Sequence, residues 1–242
     1  VWLAARGGLA AAGLVLAAGG ALASIAAAIA MREGRGASLL PGVASSALAW
    51  GAGTTLAFGA ALHALRRDRR EGVIALARAR GLGAAAYVRA RVGGLVALLA
   101  IAVGGATLVA VLAATAVARS PWATLRGGIG ALLYALLFAA TLGPVALAAL
   151  GARTRAGGYL TLLAVLVLPE IAAPWTARLL PEGWGELTSI PAALDAVRGA
   201  FVPGGTPALS VARAVAALGV VIGVSLVAVL LRIPGPDTED PS

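Results

Sequence analysis

The sequence has no cysteine, no lysine and little charge of either sign. Without cysteine it forms no disulfide, builds no thiolate metal site and offers no cysteine nucleophile. Without lysine it has no P-loop, because that motif needs its Lys on the nucleotide phosphates. All 19 basic residues are arginine, and alanine, glycine and leucine dominate the rest, a bias that GC-rich codon usage explains. Charged residues make up 12% of the 242, against about 25% in a soluble domain. No His/Asp/Glu cluster and no nucleophile–base pair is visible, which argues against an enzyme and against a metal site. No segment alternates polar and apolar residues, so a transmembrane β-barrel is excluded.

What the chain does have is apolar residues, 60% of the total, in long uncharged runs. Gly7 to Met31, Gly36 to Leu65, Val92 to Ala118 and Gly127 to Ala152 carry no charge. Each exceeds the roughly 20 residues that cross a hydrocarbon core about 30 Å thick. The expected class is an all-α, polytopic membrane protein. Six spans are expected, at about 7–30, 39–65, 92–118, 127–150, 158–174 and 214–231. The tail, 234–242, is proline-rich and acidic and reads as disordered. The chain begins at Val1, which reads as a GTG start translated literally or as a missing front. Only six residues precede the first apolar run and no small-residue cleavage motif follows a short one, so a removed signal peptide is not expected.

Six spans put both termini on one side. Arg6, the arginines of 66–91, Arg153, Arg155 and Arg232 fall on that side. Arg32, Arg35, Arg119, Arg126, Arg178, Arg198 and Arg213 fall on the other. The richer side is cytoplasmic by the positive-inside rule, which gives an N-in/C-in topology. The net charge of +9 then reflects cytoplasmic arginines and not nucleic-acid binding. Trp122, Trp175 and Trp184 fall at the outer interface, and Trp2, Tyr87 and Tyr159 at the inner one, while Trp50 fits this belt less well. The outer segment 175–213 is too proline-rich for one helix and too apolar for a solvated loop. It is expected to form short helices at the outer leaflet, shielded by protein. One of these runs from Pro191 to Phe201, with Ser189 as its cap, proline in its first turn, and Leu194, Val197 and Phe201 on one face.

The longest polar stretch in the first two thirds is Arg66–Arg91, RRDRREGVIALARARGLGAAAYVRAR. Eight arginines against one aspartate and one glutamate give it a charge of +6. Arg66 to Arg70 form a charge knot. Glu71 to Arg80 are expected to form a short helix, with an acid at its positive end and arginines at its negative end. Gly81 is placed as its C-cap. Val73, Leu76 and Ala77 make an apolar stripe, while Arg70, Glu71 and Arg78 lie off it. Attraction to anionic lipid explains the charge, at about 1 kcal/mol per arginine near the surface. It does not explain an apolar stripe between two charge clusters, which needs something to dock against.

Arg-Glu-Gly-x-x-x-Leu-x-x-x-x-Gly in this loop resembles the permease subunits of type-2 ATP-binding-cassette (ABC) exporters. Glu71, Gly72, Leu76, Gly81, Tyr87 and Arg91 match the family's loose pattern as they stand. The resemblance extends to the whole expected topology. Two departures stand beside it: the family's cytoplasmic helix before the first span is nearly absent, and Glu71-Gly72 lacks a spacing residue, which shifts the register by one. The resemblance implies that the loop is a coupling helix seated in a cleft of a separate ATPase subunit, touching it through Arg70, Glu71, Gly72, Val73, Leu76, Arg78 and Gly81. It also implies a second permease chain, ATP and Mg bound by the partner and not here, and a bacterial inner (cytoplasmic) membrane. The substrate is expected to be amphiphilic.

Other residues carry two readings each. Glu170, after Pro169 in an apolar stretch, either lines a translocation path or marks the outer end of span five. Thr54 and Thr55 either line that path or bond back to their own helix. His63 reads as interfacial filler unless an acidic partner makes it a proton relay. The glycines of spans two to four could let helices approach closely, though 33 glycines produce such spacings by chance. The competing function is a non-transporting membrane anchor or assembly factor docking a soluble partner through the same loop. A secondary transporter would need mid-membrane carboxylates and an internal repeat, and the two halves differ in loop size and charge.

Overall fold

The structure, a computed structural model, describes residues 8–31, 35–150, 155–179, 189–202 and 208–231, together with 181 and 206. Among them no strand occurs. The reason is local: in runs of Ala, Leu, Val and Gly, only a helix satisfies each backbone donor and acceptor within its own segment, which an apolar solvent demands. Helix α1 is Gly8–Ala30. Helix α2, Leu40–Ala47, passes through a π turn, Leu48–Gly53, into α3, Thr54–Arg70. After a short α4, Val73–Ala79, helix α5, Ala84–Leu99, passes through a second π turn, Ala100–Gly104, into α6, Gly105–Val117. Then follow α7, Pro121–Leu150, α8, Arg155–Leu179, α9, Ile190–Gly199, and α10, Ala208–Leu231.

Four stretches are long and apolar enough to cross a membrane: Gly8–Ala30, Ala84–Val117, Pro121–Leu150 and Ser210–Leu231, and Leu160–Thr176 is a shorter apolar helix. The chain is thus built as an all-helical membrane protein. Helix α7 lies at its centre: its most apolar window is 67% buried by protein, against 22% for α1 and for α10. It packs against α2, α3, α5, α6, α8, α9 and α10. Tyr134, Phe138, Leu147 and Leu150 of α7 are fully buried, whereas α1 presents Val15, Leu22 and Ile29 outward.

Glycine sets the closest approach. At the crossing of α1 and α3, a Cβ on Gly13 would sit 2.7 Å from the Leu56 backbone nitrogen, and one on Gly59 would overlap the Ala10 backbone. Ala10, Ala17, Leu56, Ala57 and Ala60 complete this buried seam. The two π turns lie against each other. Between them and α7, a Cβ on Gly53 would come 2.6 Å from Phe138 and 3.0 Å from Val103. At the first π turn the Thr54 amide donates to the Ala49 carbonyl, five residues back.

Several elements run further than their apolar stretches predict. The second rod continues to Arg70, so the arginine knot is its last turn. The third begins at Ala84, in keeping with the expectation that 84–91 forms a helix running into the apolar stretch from Val92. Helix α8 passes Pro169 and Pro174 and ends at Leu179, because an isolated proline removes one hydrogen bond and bends a helix without having to end it. Helix α10 starts at Ala208 and not near Ala214. Charge and proline mark where a helix leaves apolar surroundings, and the backbone continues past that point. The tail 234–242, Arg6, Trp2, Arg32, Arg153, Trp184 and Arg232 lie outside the described residues, as do the side chains of Arg35, His63, Arg66, Arg67, Arg69, Arg70, Arg78, Arg155 and Tyr159.

Candidate functional site

The arginine-rich stretch forms a helical hairpin across the ends of α3 and α5. Glu71 and Gly72 make the first turn, and α4 follows from Val73 to Ala79. Gly72 at φ 67° and Gly81 at φ 75° are the only left-handed residues among those described. A side chain disfavours that region by roughly 1–2 kcal/mol, so glycine at these positions fixes where α4 starts and stops. The Leu82 amide donates back to the Ala77 carbonyl at 3.0 Å. That six-residue closure around a left-handed glycine is a Schellman cap. Gly83 then stands as the extended residue before α5, and the Tyr87 amide reaches its carbonyl at 3.2 Å.

The hairpin is fastened at its base. Asp68, the lone acid of the knot, is only 4% exposed. The Tyr87 hydroxyl donates to its Oδ2, and Arg91 Nη2 pairs with its Oδ1 at 2.5 Å. The Arg91 guanidinium also lies 5.6 Å from the centre of the Tyr87 ring. One carboxylate of α3 is thus shared by two side chains on successive turns of α5. The pair of charges does not guarantee net stability, since desolvation offsets much of the attraction. What it provides is a fixed angle between the two rods that carry α4.

The apolar residues of α4 divide between two directions. Val73, Ile74 and Ala77 are half-buried, and Ile74 packs against the main core. Leu76 is 57% exposed and Leu82 is 51% exposed. The sequence grouped Val73, Leu76 and Ala77 as one stripe; the structure turns Leu76 away from the other two. Glu71 is exposed in the turn, and the Arg70 and Arg78 side chains lie outside the described residues.

The opposite end of the bundle holds a second polar group. Ser189 caps α9 by accepting from the Ala192 amide at 3.1 Å, and its hydroxyl donates to Glu170 Oε1. Helix α8 therefore carries Glu170 past Pro169 to the cap of α9. Arg198, on the last turn of α9, donates to the Gly42 carbonyl at 2.7 Å and to Ser46 Oγ at 2.6 Å, and pairs with Asp195 at 2.6 Å. It lies 5.0 Å from the centre of the Tyr134 ring, and the Tyr134 hydroxyl accepts from the Trp50 indole at 2.7 Å. Burial raises the pKa of the Asp195 carboxyl; Arg198 opposes the rise and Glu170 adds to it.

Thr54 and Thr55 both bond back along their own helix. Thr54 Oγ1 donates to the Trp50 carbonyl, and Thr55 Oγ1 donates to Gly51 O at 2.8 Å. They serve the carbonyls that the π turn displaces from regular pairing. The structure brings Glu71, Gly72, Val73, Leu76 and Gly81 together in the hairpin. It puts Thr54 and Thr55 at the π turn and Glu170 at the α9 cap. Asp68 and Arg198 escaped sequence reasoning. For Asp68 a signal was present: one acid within a run of arginines, followed by Tyr87 and Arg91 one turn apart. For Arg198 the local signal was Asp195 three residues before it, while its other partners lie in α2 and α7 and leave no trace in the neighbouring sequence. Searches with family models, among curated proteins and among solved structures return no match to this chain.

Proposed function

We propose that this chain is the membrane-spanning permease subunit of an ABC exporter, driven by a separate ATPase that docks on α4. On this reading six rods cross a bacterial inner membrane: α1, α2 with α3, α5 with α6, α7, α8 and α10. Both termini and α4 lie in the cytoplasm, and α9 lies at the outer leaflet. The second rod, Leu40–Arg70, is ~45 Å long at 1.5 Å per residue, more than a crossing requires. ATP and Mg belong to the partner, a second permease chain completes the path, and the cargo is amphiphilic.

One observation carries the reading. Helix α4 is bracketed by two left-handed glycines, anchored through Asp68, Tyr87 and Arg91 to two long rods, and presents Leu76 outward. A partner pressing on Leu76 would move both rods together, because Asp68 ties α3 to α5 at the base of the hairpin. An exposed leucine among arginines also fits a cleft with an apolar floor and acidic rim.

The test is a tagged chain co-expressed with any P-loop protein found encoded beside it. That protein is expected to co-purify, and Leu76→Asp is expected to abolish co-purification and reduce ATP-driven efflux at least tenfold at an unchanged yield of folded chain. Unaltered ATP-driven export by Leu76→Asp rules the reading out. If a partner without a P-loop is captured through Leu76, the chain is a membrane anchor instead.

A further inference from the structure

Arg198 is more than a tie between α9 and α2. A guanidinium has five N–H donors in a fixed fork. Gly42, Ser46 and Asp195 take three of them, and 25% of the side chain remains exposed. It opens onto a cavity of about 620 Å³ walled by Leu39, Val43, Ala47, Gly127 and Val202. Arg198 is the one charged group among the described residues lining it. Val43 and Ala47 also wall a second cavity, of about 320 Å³, that runs between α1 and α2 past Leu16, Gly20 and Leu48. Among the described residues, none that lines that second space is charged.

We propose that the two cavities together bind a single-chain anionic amphiphile of the fatty-acid class, its carboxylate on Arg198 and its alkyl tail across the Val43 ridge in the α1–α2 groove. The planar fork of arginine matches a carboxylate through two parallel hydrogen bonds. Among the described residues lining the head cavity Arg198 is the one cation, with Ser38 and Ser46 beside it and the rest of the wall apolar, a setting that suits a single anionic head. The groove follows α1 from Ala27 to Leu16, ~16 Å of helix, which takes a long tail and leaves a short one with little to bury. The volumes are those of a ligand pocket. Asp195, whose side chain is 51% exposed, competes with the incoming head for Nη2. This site involves neither α4 nor any ATPase, so it stands or falls apart from the transport reading.

The full chain in nanodiscs of zwitterionic lipid, titrated with palmitate carrying a nitroxide on its tail, gives the test. Trp50, hydrogen-bonded to the tyrosine beneath Arg198, reports binding by fluorescence quenching; Trp50→Phe removes that part of the signal. Saturable quenching is expected, with the labelled methyl ester and labelled octanoate at least tenfold weaker. Arg198→Gln should weaken binding at least tenfold and Asp195→Asn should tighten it. Because Arg198 also holds α9, two further variants guard against misfolding. A Cβ on Gly127 or on Gly51 meets nothing within 4 Å, and both glycines line the cavities, so Gly127→Leu and Gly51→Leu start their side chains from open positions at the head and tail cavities. Both should lower affinity at least tenfold. Non-saturating quenching that is equal for acid and ester, and unchanged in the two glycine variants, means the probe merely dissolves in the bilayer and overturns the proposal.

Discussion

A Cβ at Gly59 would collide with the backbone of Ala10, and backbone cannot rotate aside as a side chain can. Gly59→Ala should therefore force α1 and α3 apart and cost about 1–3 kcal/mol, the usual range for an overfilled core. The check is the thermal midpoint of the detergent-solubilised protein, with Gly19→Ala as the control. Gly19 meets nothing within 4 Å, and its replacement should leave the midpoint unchanged or raise it slightly. Among 33 glycines, the sequence does not distinguish these two, since which one faces another helix depends on partners far along the chain. Gly72 and Gly81 are different. Their place between apolar and charged runs already marks them as punctuation, and Gly81 was readable as a cap from its neighbours alone.

Elements were legible to the extent that their causes are local. Ser189 before Ile190-Pro191 reads as a helix start in any context, and it is one. Ser189→Ala should cost about 1 kcal/mol from the cap and leave Glu170 without that donor, measured as a lower midpoint and faster hydrogen exchange across α9. The hairpin base was not legible in this way. Asp68 contacts Tyr87 and Arg91 only because α3 and α5 converge, and that convergence is tertiary. Tyr87→Phe removes one donor from a buried carboxylate, at a cost of about 1–3 kcal/mol. A spin label on a Leu76→Cys variant should then report a broader distribution of distances to the body of the bundle. If the distribution stays narrow, Arg91 alone holds the hairpin. The π turns had no sequence signal, because widening by one residue leaves composition and hydropathy as they were.

For the whole molecule, apolar run length announced a helical membrane protein, and four stretches of the fold have the length and character to cross a membrane. The centrality of α7 could not be read, because α1 and α7 are about equally apolar and differ only in what surrounds them. The absence of cysteine makes the proposed topology directly measurable. Single Leu76→Cys and Trp122→Cys variants place thiols at exposed positions, 57% and 82% respectively. In intact cells an impermeant maleimide should label Trp122→Cys and spare Leu76→Cys until the membrane is opened. Labelling of Leu76→Cys in intact cells refutes a cytoplasmic α4.

The turn at Leu48–Gly53 holds one residue more than α winding would use over the same length. Everything after it on that rod is rotated by about 100° relative to an unbroken α-helix. Asp68 faces Tyr87 and Arg91 only with that offset in place. Winding the same residues as ordinary α-helix would swing the carboxylate a quarter of a circle or more from its two partners, whereas deleting one residue such as Gly51 removes the extra residue and the widening together and should leave it facing them, so the alignment of the arginine-rich end is set by a miscount in the middle of the bundle.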